Sequence, residues 1–74
     1  MEWYKYLERC IPYTTFTHYK GGVYEFITLA NLEGEEEPIV VYKSVSFGTH
    51  KAQKISRFFG EVENGERRFI IAEL

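Results

Sequence analysis

Apolar side chains recur along this chain in two different periods. From Glu2 to Ile11 they fall at Trp3, Leu7, Cys10 and Ile11, a spacing that lines one face of a 3.6-residue helix. Glu2 near the start and Arg9 near the end suit the helix dipole. Pro12 ends the pattern, because the residue before a proline is held out of helical geometry. Tyr4 and Tyr6 lie off the stripe, so the helix is expected over residues 1–11 with a wide aromatic face against the rest of the molecule.

From Tyr13 onward the residues turn β-branched and aromatic, the material of strands. Thr14–Tyr19 reads as one strand and Lys20-Gly21-Gly22 as a tight turn. Val23–Leu32 reads as a longer strand with Val23, Ile27 and Leu29 on one face and Tyr24, Phe26, Ala30 and Leu32 on the other. Such a strand bends across a small barrel or lies under a helix. Glu33–Pro38 is a polar loop, and the pattern resumes over Ile39–Phe47. Gly48-Thr49-His50 interrupts it. Ala52, Ile55, Phe58 and Phe59 then recur at helical spacing, which predicts a short helix over Lys51–Phe59 with Thr49 or His50 at its start and Gly60 just past its end. Glu61–Glu63, Asn64-Gly65 and Arg67–Leu74 read as a hairpin.

These elements predict one domain over residues 1–74: an N-terminal helix (1–11) on a mainly β unit (14–74), a small antiparallel SH3-like barrel or roll of about five strands. An α+β sheet with one helix on its open face is the alternative.

The run His18-Tyr19-Lys20-Gly21-Gly22-Val23-Tyr24-Glu25, followed by Ile39-Val40-Val41-Tyr42-Lys43, Phe58-Phe59, Val62, Gly65 and Arg68-Phe69, resembles a small bacterial and phage family known as a domain of unknown function, number 1653. The resemblance covers roughly 50 residues and rests on the H-Y-K-G-x-x-Y and V-V-Y segments. It implies an SH3-type fold and carries no catalytic assignment. The family follows V-V-Y with a Trp-Val-Arg-Pro stretch; here Val45–Ser56 contains no tryptophan, arginine or proline, and the N-terminal helix is additional.

Composition narrows the functional classes. A chain of 74 residues hides only about 60% of its unfolded surface, so its 13 aromatic side chains must fill much of the core. A single cysteine argues against a disulfide framework and a Cys-rich zinc module. With no apolar run near the ~20 residues that span a bilayer and a polar N-terminus, the expected setting is the reduced cytoplasm, without a membrane partner.

The chemistry-bearing residues are sparse. Cys10 falls on the apolar stripe, where a quiet buried thiol is expected. His18 and His50 stand 32 positions apart and the chain has no Asp, so neither a metal site nor a cofactor is expected. Glu25, inside a hydrophobic strand, is expected to pair with Lys43 or Arg68. Gly48-Thr49-His50-Lys51 offers a weak anion-binding start to the predicted helix. No catalytic residue stands out, and a non-enzymatic module is expected.

Charge is more informative. Residues 1–42 hold three Lys/Arg against seven Glu, while residues 43–74 hold six against four, so a net −2 conceals an acidic front and a basic back. Lys51, Lys54 and Arg57 recur every three residues and predict a basic ridge on the helix. With Lys43, His50, Arg67 and Arg68, edged by Phe47 or Tyr42, they are expected to make one positive surface for a protein partner; nucleic acid is the alternative, and a small ligand or nucleotide in the barrel mouth a third. Trp3, Tyr4, Tyr6 and Tyr13 are the candidate interface aromatics, for docking on the chain's own barrel or on a second copy. The expected function is a small binding or accessory module, such as a phage-type inhibitor of a host factor.

Overall fold

The β-branched and aromatic runs do form strands. In the computed structural model, which describes residues 2–71, these are β1 (Thr15–His18), β2 (Val23–Ala30), β3 (Ile39–Ser44), β4 (His50–Lys54) and β5 (Phe69–Ile71), with a single helical turn, α1 (Ile55–Phe58), after β4. They make one antiparallel sheet in the order β4-β3-β2-β1-β5. The fold is thus mainly β, but β4 and β5 stand at opposite ends of the order and do not pair. The expected barrel is not closed; it is an open sheet. β5 contributes only Phe69–Ile71, all paired to β1, and the chain between β4 and β5 turns inward as α1 instead of continuing the ladder.

β3 shows the alternation most clearly: Val40, Tyr42 and Ser44 are buried and Ile39, Val41 and Lys43 half-buried, as a two-residue side-chain period requires. In β2 the register to β3 shifts between Phe26 and Thr28. This bulge at Ile27 turns the strand, so that Phe26 is buried and Leu29 also packs against the core, where unbroken alternation would have sent Leu29 outward.

The core is aromatic. Phe58, fully buried on α1, stacks on Phe69 of β5 with centroids 4.1 Å apart and meets Phe16 of β1 edge-on at 5.2 Å and Tyr42 of β3 at 5.1 Å. One side chain thus ties three strands together. Gly60 makes the sharp exit from α1 possible, since a Cβ there would lie 2.6 Å from the Ser56 carbonyl oxygen.

Several expected elements change. The N-terminal helix is a 3-10 helix over Trp3–Arg9, with bonds such as Cys10 N–H to the Leu7 carbonyl at 3.1 Å. Its turn of about three residues puts Trp3 and Tyr6 on one side, and Tyr6 stacks on Phe59 at 5.1 Å. Leu7 and Ile11, expected inward, are 42% and 60% exposed. The third expected strand stops at Ser44 rather than Phe47, because the Ser44 hydroxyl accepts the Phe47 N–H at 3.1 Å and turns the chain. Residues 51–54, expected helical, are β-strand: pairing satisfies the outer edge of β3, and the helical spacing holds only for Ile55 and Phe58. The last hairpin shrinks to a single bridge, Glu61 to Arg67, while β5 joins β1. The expected strand's end, residues 72–74, lies outside the described residues, as does Met1.

The glutamate loop is partly structural. Glu37 accepts the Ser56 backbone N–H at 3.0 Å and the Ser56 hydroxyl at 2.5 Å, capping α1, which has no cap of its own. These two hydrogen bonds hold the Glu37 carboxyl below its ordinary value of 4.5.

Two outcomes test this packing. Phe58→Ala is expected to cost about 3–5 kcal/mol, the range for removing a buried phenyl ring, read from urea unfolding curves. A carboxylate with a lowered folded pKa stabilises above its unfolded value and loses that contribution as pH falls through the folded one. Stability should therefore decline as pH drops below about 4.5, with Glu37→Gln showing a smaller decline than wild type in thermal melts across that range.

Candidate functional site

The open side of the sheet forms a cleft of about 790 Å³, lined by His18, Tyr42, Lys51, Ala52, Gln53, Lys54, Arg57 and Arg68. β3 supplies Tyr42 as the floor, 5% exposed, and β4 supplies one wall. Tyr42 and Lys51 stand opposite each other in register, as do Val40 and Gln53, so Lys51 and Gln53 project on the core side of the sheet. The Lys51 ammonium lies 5.7 Å from the Tyr24 ring centroid, within cation–π reach.

The opposite wall is Arg57 of α1 with Arg68 just before β5. Arg68 is held at three points: its N–H donates to the Gly60 carbonyl at 3.0 Å, its carbonyl accepts the Tyr19 N–H at 2.9 Å, and its Nε donates to the Arg57 carbonyl at 3.1 Å. That leaves the outer guanidinium nitrogens as donors. Lys54 reaches Glu35 at 3.8 Å, an exposed ion pair worth little to stability and the one ion pair among the described residues.

At the floor, the Gln53 amide nitrogen donates to the Tyr42 hydroxyl at 2.7 Å. Its Oε1 is buried and has no hydrogen-bond partner among the described residues. His18 accepts the Lys20 backbone N–H on Nδ1 at 3.2 Å, which places the proton of the neutral ring on Nε2. Burial, and then the positive charges of Arg68, Lys20 and Lys51, hold its pKa below 6.5.

The basic residues expected as one surface are divided. Lys51, Lys54, Arg57 and Arg68 meet around the cleft, though on a strand, a helical turn and a loop rather than one helical ridge. Lys43 and His50 face each other across β3 and β4, on the sheet side opposite Tyr42. Arg67 lines a separate hollow of about 330 Å³ with Arg9, Phe16, Phe59, Phe69, Ile70 and Ile71. Glu25 lies opposite Lys43 in register but forms no ion pair with it or with Arg68. Val45–Thr49 is a hairpin turn, and His50-Lys51 begin β4 rather than a helix. Of the edge aromatics, Tyr42 belongs to the cleft, and Phe47 stands 86% exposed on that turn.

The four N-terminal aromatics do not share one outward surface either. Trp3 and Tyr6 pack against the core, whereas Tyr4 and Tyr13 are exposed. Tyr13 has a positive φ of 68°, uncommon for a bulky residue, which lets its N–H reach the Phe26 carbonyl at 2.7 Å. Cys10 donates to the Tyr6 carbonyl at 3.5 Å, and burial pushes its thiol pKa up. Among the described residues no three His, Cys or Glu side chains converge as a metal site, and no helix is long and apolar enough to cross a membrane.

His18 and Gln53 escaped the sequence reading as cleft residues. His18 stood in the H-Y-K-G segment; Gln53 gave no signal, because its role depends on β4 being a strand.

Open five-strand sheet, inward helical turn and cationic cleft together define a small mainly β protein with a concave basic face between β4 and α1. Residues 14–70 match the family described as "Protein of unknown function (DUF1653)", and the chain belongs to that family; the 3-10 helix precedes the match. No curated protein and no solved structure matches the chain.

The cationic environment of His18 has a direct readout. Arg68→Gln removes the positive charge that lowers it most among the three, so the His18 pKa should move up toward 6.5 in a proton NMR titration of its ring; no movement would mean that Arg68 does not face it.

Proposed function

We propose that this chain is a non-enzymatic docking module that binds a protein partner in the cytoplasm through the β4–α1 cleft, on a scaffold we read as an SH3-like roll left open between β4 and β5. One observation carries the reading. In a chain with eleven Glu and nine Lys/Arg, Lys51, Lys54, Arg57 and Arg68 gather round one cleft that no carboxylate lines. Segregated charge of this kind steers and selects an acidic partner.

The cleft's form favours a macromolecule over a small ligand. Drug-sized ligands have most of their surface buried in their sites, whereas Lys51, Ala52, Lys54 and Arg57 are all exposed. A long nucleic acid fits less well, because its affinity rests on an extended run of neutralised phosphates and the molecule carries a net −2. A phosphate backbone leaving the cleft would meet the acidic remainder.

Affinity capture from host lysate, comparing wild type with Lys51→Glu plus Arg57→Glu, tests the reading at about 150 mM salt, where exposed charges farther apart than ~8 Å are screened. A protein retained by wild type and lost by the double variant, with no gel shift of single- or double-stranded DNA or RNA, is the expected result. A salt-sensitive gel shift abolished by the same substitutions would replace the protein partner with nucleic acid.

A further inference from the structure

The cleft touches Lys51, Ala52, Gln53 and Lys54 in succession. Successive residues of a strand point to opposite faces, so a cleft that reaches all of them opens onto the edge of β4. The strand order leaves that edge without a neighbour.

The phase of the β3–β4 ladder is set by bonds at its two ends. Ser44 N–H donates to the Thr49 carbonyl at 2.9 Å, and Ile55 N–H to the Pro38 carbonyl at 3.0 Å. In an antiparallel pair, hydrogen-bonded and non-bonded positions alternate. Tyr42 with Lys51 and Val40 with Gln53 are therefore bonded pairs, while Lys43 with His50, Val41 with Ala52 and Ile39 with Lys54 are not. It follows that the N–H groups of His50, Ala52 and Lys54, and the carbonyls of His50 and Ala52, point away from β3 toward the free edge.

We propose that β4 accepts an extended acidic peptide segment of the partner as an added antiparallel or parallel strand, its backbone bonding to His50, Ala52 and Lys54 and its alternate carboxylates meeting Lys51, Arg57 and Arg68. The proposal rests on the docking function above and specifies its mode. Strand addition draws affinity from main-chain bonds and specificity from alternate side chains. Here the side-chain code is electrostatic. A second β4 edge is disfavoured, because it would bring His50, Lys51 and Lys54 of another copy beside these same basic side chains with no carboxylate between them. A carboxylate is accepted, and one already approaches: Glu35 lies 3.8 Å from Lys54 at the end of the strand. Ala52, small and exposed between Lys51 and Gln53, leaves the backbone accessible. The buried Gln53 Oε1, without a partner among the described residues, adds an acceptor beside this wall for a donor from the incoming segment.

The probe is the capped peptide acetyl-Glu-Val-Glu-Val-Glu-Val-Glu-amide, titrated into the full chain by calorimetry and by amide hydrogen exchange. A strand directs alternate N–H groups at its neighbour. N-methylation of one alternate set of residues should therefore weaken binding roughly tenfold or more through lost main-chain bonds, while methylation of the other set leaves binding intact. Exchange at Ala52 and Lys54 should slow on binding. Ala52→Pro removes an N–H that no internal ladder bond uses, and should weaken the peptide similarly while the fold, checked by circular dichroism, persists. Equal binding by both methylated series, or no binding of the parent peptide, overturns strand addition. The docking function is judged separately, by the lysate capture with charge-reversed protein, which does not depend on this peptide.

Discussion

Phe58 is the interaction on which the architecture depends. It sits on a helical turn of four residues, Ile55–Phe58, far too short to be stable through its own hydrogen bonds. Its ring is fully buried against Phe16, Tyr42 and Phe69, on three strands. Burying such a ring is worth about 1.5–3 kcal/mol, and each favourable aromatic pair adds about 0.5–1.5 kcal/mol. The turn exists because tertiary packing holds it. Glu37 from the β2–β3 loop supplies the cap it lacks, and Gly60 supplies the absent Cβ that lets the chain leave.

The same inward turn keeps the sheet open. Having entered the core at Ile55, the chain returns to the sheet only at Phe69, on the far side of β1. β4 therefore ends the sheet on one side and β5 on the other. The gap becomes a cleft whose floor is Tyr42 and whose walls carry Lys51, Lys54, Arg57 and Arg68. Stability and site geometry share one cause: the residues that fix Phe58 also place Arg57 on the rim, and Arg68 is anchored by its bond to the Arg57 carbonyl.

Much of this was legible along the chain. Alternation over Ile39–Ser44 and the glycine turn at Gly21-Gly22 located strands, and Pro12 and Gly60 closed the two helical segments. Three features were not. Helical spacing of Ala52, Ile55 and Phe58 arose from a strand running into one turn of helix, a junction that mimics a longer helix because Ala52 is compatible with both. Trp3, Leu7 and Cys10 matched a 3.6-residue stripe, yet the stack of Tyr6 on Phe59 selects a three-residue turn that exposes Leu7. The bulge at Ile27 reversed the faces of β2 without a glycine to announce it. Each miss has the same origin: local periodicity admits two structures, and long-range packing chooses.

The sequence by itself determined the chemistry: eleven Glu and nine Lys/Arg, an acidic front and a basic back, aromatic side chains for a core too small to be built otherwise, and a membership in one family through its H-Y-K-G and V-V-Y segments. Only the tertiary structure decided which charges act together. Lys43 and His50 lie on the sheet face opposite Tyr42, and Arg67 in another hollow, although both groups share the basic back of the chain. Strand alternation sends neighbours in sequence to opposite faces, while the inward turn of α1 brings Arg57 and Arg68, eleven positions apart, to one rim. Charge is a property of composition; a charged site is a property of where the backbone turns.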